Sequence, residues 1–270
     1  MRGVERWVWG LAVLPAVMVL LGVFCVPLLQ SLVASFSREG RWTLENYAIV
    51  WRLYRQDVLY TVGVASAGVV LTFALGIPLA GYLRLRAWPW LEFLLKVPLF
   101  VPFVVTGHAM RVFLQPNGTL ALALAGIGLL PPGSRFGIGE GWLGLVVALT
   151  WKHLALVVLL VAGAFRGVED SYLEAAQGFG AGGLRQIWAI LMPMSAPSVA
   201  LAMVLTLTSM LASFSIPLLM SRGSGPQMLM IDLYYRFGQH GDFGVASALG
   251  VVSYGMASGA VYAYLRSVSR

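Results

Sequence analysis

Charge is what this chain has least of. Only 11% of its 270 residues are Asp, Glu, Lys or Arg, against 59% that are hydrophobic, whereas a soluble domain carries about 25% charged residues. With a mean hydropathy of +0.82, that deficit excludes a soluble domain and a disordered chain and points to an integral membrane protein. Cysteine is nearly missing too. The single Cys25 sits in an apolar run, so no disulfide and no cysteine-based metal site forms within one chain. Met228 to Met230 have only His240 nearby, and no metal is expected there. Neither a His-Glu-x2-His helix nor a Gly-x-Ser-x-Gly elbow occurs, which removes the usual intramembrane hydrolases. The net charge of +7 lies in short stretches flanking apolar runs, so it reads as topological rather than as a nucleic-acid footprint.

What the chain has in abundance is long apolar runs. A bilayer core of about 30 Å takes about 20 residues of helix. Trp7 to Ser37, Val58 to Leu83, Met194 to Ser221 and Phe243 to Leu265 reach that length without a single Asp, Glu, Lys or Arg. The first follows Arg2 and Arg6, but it is too long for a signal-peptide core and reads as a retained span. Phe93 to Leu114 carries Lys96, His108 and Arg111, and Trp142 to Phe165 carries Lys152 and His153 near its middle. The expected fold is therefore an all-α integral membrane protein of six transmembrane helices in a single domain, residues 1–270. Leu120 to Leu130 is too short to cross and is expected to be interfacial or re-entrant. Trp7, Trp9, Trp88, Trp90 and Trp142 suit an aromatic belt, and Pro98, Pro102, Pro197 and Pro217 are expected to kink spans.

An even number of spans puts both termini on one side. With the termini inside, Arg2, Arg6, Arg84, Arg86, Lys96, Arg166, Arg185, Arg266 and Arg270 are inner, against Arg38, Arg41, Arg52, Arg55, Arg135, Arg222 and Arg236 outside. Nine against seven leaves orientation open.

The connection between the fourth and fifth spans differs from the others. Glu169, Asp170 and Ser171 supply helix-start chemistry, and Tyr172 to Gln177 are good helix formers. Gly178, Gly180, Gly182 and Gly183 allow a sharp break, after which Leu184 to Met192 resume as a second helix that Pro193 separates from the next span. Leu173, Ala176 and Phe179 form one apolar edge; Leu184, Ile187, Trp188 and Leu191 form another. By itself this reads equally well as an amphipathic elbow on the membrane surface.

The spacing of this loop says more. Glu174-Ala175-Ala176, three residues, Gly180, nine residues, Ile190, then Met192-Pro193 resembles the EAA loop of permease subunits in binding-protein-dependent type I ABC importers, the MetI-like family. The usual ending is Leu-Pro, and Met192 preserves the volume. Thr43 to Tyr47, Gly76 to Tyr82 and Val97 to Pro102 look like further family segments, and Phe214 to Leu219 resembles the branch that handles polyamines, opines, phosphonates and iron. The resemblance implies a MetI-like core over about 56–265, a cytoplasmic coupling loop over 169–193 and an extra N-terminal span over about 7–36. It implies that Tyr172, Glu174, Ala175, Ala176, Gly180, Ile190 and Pro193 engage an ATPase, with Glu174 the polar anchor. It further implies a prokaryotic cytoplasmic (inner) membrane location with both termini cytoplasmic. The implied partners are two ATP-binding subunits carrying ATP and Mg, a second permease, paralogous or identical, and a periplasmic or lipid-anchored solute-binding protein.

No Gly-x4-Gly-Lys-Ser/Thr loop is present; Gly223-Ser224-Gly225-Pro226 comes nearest and lacks the lysine. This chain is thus expected to be no enzyme and to bind no cofactor. Charged residues inside spans are functional candidates by default, so the candidate translocation path comprises His108, Arg111, Lys152, His153, Ser213 and Ser215. The bland reading of Lys152 is that it snorkels or pairs with a polar group on a neighbouring helix. No span has a carboxylate near its centre, which favours a small anionic or neutral solute while leaving phosphonate, iron-complex or polyamine-type cargo open. The competing function is an ion-coupled secondary transporter or channel using Lys152 and Arg111.

Overall fold

A computed structural model describes residues 13–131, 133–134, 136–139, 141–221 and 225–268. Arg2, Arg6, Trp7, Trp9, Arg135, Arg222, Gly223, Ser224 and Arg270, which entered the arguments above, lie outside the described residues. The described chain is helical almost throughout, as lipid demands of a backbone whose polar groups find no water. Helix α1 spans Val13–Ser35 and includes a π-helical stretch, Leu20–Cys25. It is followed by two-residue strands β1 (Ser37–Arg38) and β2 (Arg41–Trp42). Then come α2 (Glu45–Leu85), α3 (Pro89–Phe100), α4 (Phe103–Leu114), α5 (Thr119–Gly126) and α6 (Trp142–Arg166). The remainder comprises α7 (Asp170–Gly178), α8 (Gly183–Met194), α9 (Ala196–Leu211), α10 (Ser215–Met220), α11 (Leu229–Gly238) and α12 (Phe243–Val268).

Among the described residues four helices, α1, α2, α6 and the Phe243–Arg266 part of α12, are long and apolar enough to cross a membrane. Counting each of two bent pairs as one span, α3 with α4 and α8 with α9, brings the number to six.

The chain divides into two compact units, Met1–Arg55 with Asp232–Tyr254, and Gln56–Ile231 with Gly255–Arg270. In the first unit Asn46 is fully buried. Its Nδ2 donates to Ser35 O and Ser37 O, each at 3.0 Å, and its Oδ1 accepts from Arg38 Nη1 at 3.0 Å. The amide thereby satisfies carbonyls where α1 ends and the β1–β2 hairpin begins. Gly244 makes room for it, since a methyl there would lie 2.8 Å from Asn46 Nδ2.

In the second unit α6 is the helix on which the others pack. Gly144, Ala148, Ala155 and Ala162 are buried along it, and small residues let helices approach closely where lipid removes the hydrophobic drive for association. α3, α4, α9 and α10 all contact α6. On α2, a methyl at Gly76 would come within 2.7 Å of Val157 Cγ1 of α6, and one at Gly68 within 2.9 Å of Met210 Sδ of α9.

Several expectations need correction. The stretch left between the first two apolar runs, Arg38 to Asp57, is helical from Glu45. At about 1.5 Å per residue, α2's 41 residues outrun a bilayer, and hydropathy alone mistook its polar first turns for loop. The fifth span, expected over Met194 to Ser221, is α9 followed by a break and the short α10. Pro193 does not divide the loop from that span. It lies inside the last turn of α8, and the 83° bend falls at Ser195. Pro197 accordingly opens α9 near its first turn rather than kinking it.

The third span is two helices bent by 104°. Proline explains the break. In a continuous helix Pro98 O would accept from the N–H of residue 102, but Pro102 has none. Val101, preceding a proline, is pushed to extended geometry and has φ −79°, ψ 122°. Two carbonyls are left bare at the end of α3, and Lys152 of α6 reaches them. Its Nζ donates to Pro98 O at 2.7 Å and Val101 O at 2.5 Å, 4.6 Å from the centre of the Phe103 ring. The ammonium also suits the negative end of the α3 dipole. Replacing Lys152 with Met strands both acceptors at about 1–3 kcal/mol each. The expected result is a lower unfolding midpoint in detergent, with Lys152→Arg retaining more of the stability than Lys152→Met; an unchanged midpoint for K152M would show that the cation does not hold the break.

Candidate functional site

The loop between α6 and α9 forms the expected helix, elbow and helix. Its first helix starts differently from expectation. Glu169 occupies the N-cap without a side-chain capping bond, and Ser171 Oγ reaches only Glu169 Oε2 at 3.4 Å. Asp170 has instead turned to Arg84, as described below. At the other end, Gly180 N donates to Gln177 O and Ala181 N to Ala176 O, both at 2.9 Å. This is a Schellman ending, which requires a left-handed residue, and Gly180 supplies it at φ +78°. The separation of Ala176 from Gly180 is thus set by backbone geometry. Gln186, buried in α8, donates from Nε2 to Ala181 O at 2.7 Å and closes the elbow.

The two apolar edges split between inside and outside. Leu173, Ile187 and Leu191 are buried, whereas Tyr172, Phe179, Leu184 and Trp188 are exposed, Phe179 to 91%. Glu174 and Ala175 are exposed, while Ala176 and Ile190 are half-buried. Ala176, Phe179, Ala181, Arg185, Ala189 and Ile190 line one concavity of about 210 Å³. The elbow therefore brings Ala176 and Ile190 together around Gly180 and leaves Tyr172 and Glu174 outside the hollow. Pro193 is exposed and contributes to the end of α8 rather than to this surface.

Three residues that position the loop escaped the sequence reading. Arg84, in the last turn of α2, donates from Nε to Phe165 O at 3.0 Å and from Nη2 to Val168 O at 2.9 Å and Asp170 Oδ1 at 2.5 Å. Gly81, one turn earlier, receives α8: a methyl there would stand 2.5 Å from Ile187 Cδ1. Glu92 of α3 accepts from Lys96 at 2.7 Å and Arg166 at 2.8 Å, joining the start of α3 to the end of α6. In the sequence Arg84 looks no different from Arg86, and nothing local marks its partners.

The candidate path residues do not form one cluster. His153 is buried, with Nδ1 2.8 Å from Leu149 O and Nε2 3.0 Å from Ser209 Oγ. Both ring nitrogens are occupied, and the arrangement suits a neutral imidazole that donates to the carbonyl and accepts from the hydroxyl. Arg111 Nη1 donates to Leu219 O at 3.2 Å, meeting a carbonyl near the end of α10. His108, exposed on the same helix, lines a largely apolar groove of about 670 Å³ with Thr106, Ala109, Phe113 and Trp151. Ser213 is buried in the break before α10, with no partner on its Oγ, and Ser215 is half-buried at the start of that helix.

Comparison with known proteins agrees with the family that the loop's spacing resembles. Residues 73–269 match the family described as "Binding-protein-dependent transport system inner membrane component". The spermidine/putrescine transport system permease protein PotB of Haemophilus influenzae is 24% identical over 200 residues, covering 70% of this chain and 69% of that protein. The molybdenum transport system permease protein ModB of Escherichia coli is 29% identical over 164 residues, 59% of this chain and 68% of ModB. A chain of a bacterial alginate ABC transporter, crystallised in complex with an alginate pentasaccharide-bound periplasmic protein, shares the fold. It aligns with a TM-score of 0.82 at 18% identity, covering 97% of this chain and 94% of that one.

The elbow's geometry has a local test. A methyl on Gly180 meets nothing within 4 Å, so Gly180→Ala is penalised only by its left-handed backbone, by about 1 kcal/mol. Amide exchange at residues 180 and 181 is expected to speed about five-fold, since 1.4 kcal/mol is a factor of about ten. Gly178→Ala, with no positive φ to hold and nothing nearby, is the control and should leave those amides at least as protected as before, since alanine favours the helix it ends.

Proposed function

The chain belongs to the family of binding-protein-dependent transport system inner membrane components, and we propose that it passes the closure of a separate ATPase to its membrane helices through the loop over 169–193. It is a multi-pass permease subunit of an ABC importer and not the ATPase. The exposed face of α7 carries the proposal. A large aromatic such as Phe179, uncovered at the end of α7 in a loop that also exposes Tyr172, Leu184 and Trp188, marks a surface that a partner covers. Glu174 gives that partner a charged anchor, and the small Ala175 beside it allows close approach. Gly180 then turns the chain so that α8 returns to α2.

On this reading the loop and both termini face the cytoplasm. Two ATP-binding subunits, which hold ATP and Mg, seat α7 in a cleft, and a second permease, identical or paralogous, completes the path. When the ATPase closes, the loops move and the cavity turns from inward to outward, each state stabilised by its own contacts. A solute-binding protein delivers cargo from the outer side; the alginate transporter above was crystallised with such a periplasmic protein. The groove beside His108 and the absence of mid-span carboxylates favour a small anionic or neutral solute. The names of the relatives, spermidine/putrescine for one and molybdenum for another, do not choose between charges.

The ion-coupled alternative depended on Lys152 and Arg111 as free intramembrane cations. Lys152 is committed to Pro98 O and Val101 O, and Arg111 donates to Leu219 O, which weakens it. Co-purification through a tag on this chain separates the two readings. Glu174→Arg is expected to reduce the ATP-binding subunit recovered by ten-fold or more, with ATP hydrolysis falling in proportion. Recovery equal to that of the unaltered chain would sink the coupling assignment, as would uptake into ATP-free proteoliposomes driven by a proton or sodium gradient alone.

A further inference from the structure

The link between α6 and α7 is only the three residues Gly167, Val168 and Glu169. α7 has nine residues, of which Leu173 alone is buried. So short a helix has little stability of its own, and a pull on it would be spent in pivoting about the link unless something fastened it. Arg84 is placed to do so. Its Nε and Nη2 grip carbonyls of Phe165 and Val168, where α6 gives out, while Nη2 also pairs with the carboxylate of Asp170, the first residue of α7. One planar guanidinium holds two helix ends in a fixed fork, as a lysine could not. Its charge faces the negative end of the α6 dipole, and Asp170 faces the positive end of α7. The side chain of Arg84 is 15% exposed, so water screens its bonds to the two carbonyls little, whereas the Asp170 carboxylate, 74% exposed, is open to solvent.

The other arm of the loop is fastened to the same turn of α2. Ile187 of α8 lies against Gly81, and Ser195 Oγ, at the end of α8, donates to Ala164 O of α6 at 3.2 Å. Both arms therefore end on residues 81–84 of α2 and on the last turn of α6. We propose that Arg84 is a positioning residue that makes α7 move as one body with α2 and α6, so that displacement of the loop reaches the membrane helices undiminished. This rests on the reading of 169–193 as the coupling loop.

The test needs no knowledge of the cargo. In a Cys25→Ser background, Ala109→Cys reports on the groove beside His108. Its alkylation by a membrane-impermeant maleimide is measured in the reconstituted complex, nucleotide-free and trapped with ATP and vanadate. In the otherwise unaltered chain the rate is expected to change five-fold or more between the two states. Arg84→Ala is expected to retain the ATP-binding subunits and hydrolyse ATP while that change falls below two-fold. Arg84→Lys, which keeps the ion pair but not the fork, should recover part of it. A full response from Arg84→Ala overturns the proposal. Should that variant yield no complex, Asp170→Asn decides, because it removes only the ion pair at an exposed carboxylate: a response cut at least two-fold supports the strut, and a full response overturns it. If the unaltered chain shows no change with ATP and vanadate, the coupling reading itself fails and takes this inference with it.

Discussion

A carbonyl oxygen released from a helix inside a bilayer has no water to turn to, and the second unit of this protein is organised around that constraint. At three of its breaks, Val101–Pro102, Gly167–Glu169 and the end of α10, a cation from another helix meets the carbonyls. Lys152 takes Pro98 O and Val101 O, Arg84 takes Phe165 O and Val168 O, and Arg111 takes Leu219 O. Each cation also opposes the negative end of a helix dipole. Basic residues within or at the ends of the spans thus do structural work that permits irregular backbone where a straight helix could not bend.

From this follows the division of labour within the loop. Residues facing the membrane helices are fixed: Leu173, Ile187 and Leu191 are buried, and Asp170 is paired. Residues facing away are free of that duty, so Tyr172, Glu174, Phe179 and Trp188 are available to a partner. The glycine between the two arms is the only position in the elbow with a left-handed backbone, Gly180 at φ +78°. An exposed surface on a fastened base is what the proposed coupling role requires, since motion applied to an unfastened one would be lost.

How much of this was legible in the sequence depended on distance along the chain. The elbow was legible because its geometry is local: a Schellman turn fixes the offset from Ala176 to Gly180, and both residues lie in one stretch. The proline break at Pro102 was legible for the same reason. The partner that satisfies the break was not, because Lys152 is on a different helix and its pairing depends on packing. Arg84 was counted only as a charge beside Arg86, since nothing nearby reveals that one of the two reaches across to α6. Pro193 was misread in the other direction. A proline ordinarily ends a helix, but the π-helical stretch Ile187–Leu191 immediately before it lets the backbone pass without a break. The first turns of α2 were misread because hydropathy reports the solvent around a residue and not its backbone.

The broken third span also shows why a permease tolerates a bend that costs hydrogen bonds. Irregular backbone survives at membrane depth only when it is enclosed by protein or borders a cavity, and Val101 meets both conditions. Its carbonyl is held by Lys152, while the residue itself lines the groove that His108, Thr106 and Trp151 share. A straight helix from Pro89 to Leu114 would carry α4 past α10 instead of against it, where Gly107 lies so near Ile216 that a methyl would approach its Cα to 3.1 Å. The bend therefore creates the groove and the α4–α10 contact together. The lysine that makes it affordable comes from α6, the same helix whose far end Arg84 binds to the loop, so a single helix supports the groove at one level and the loop at another.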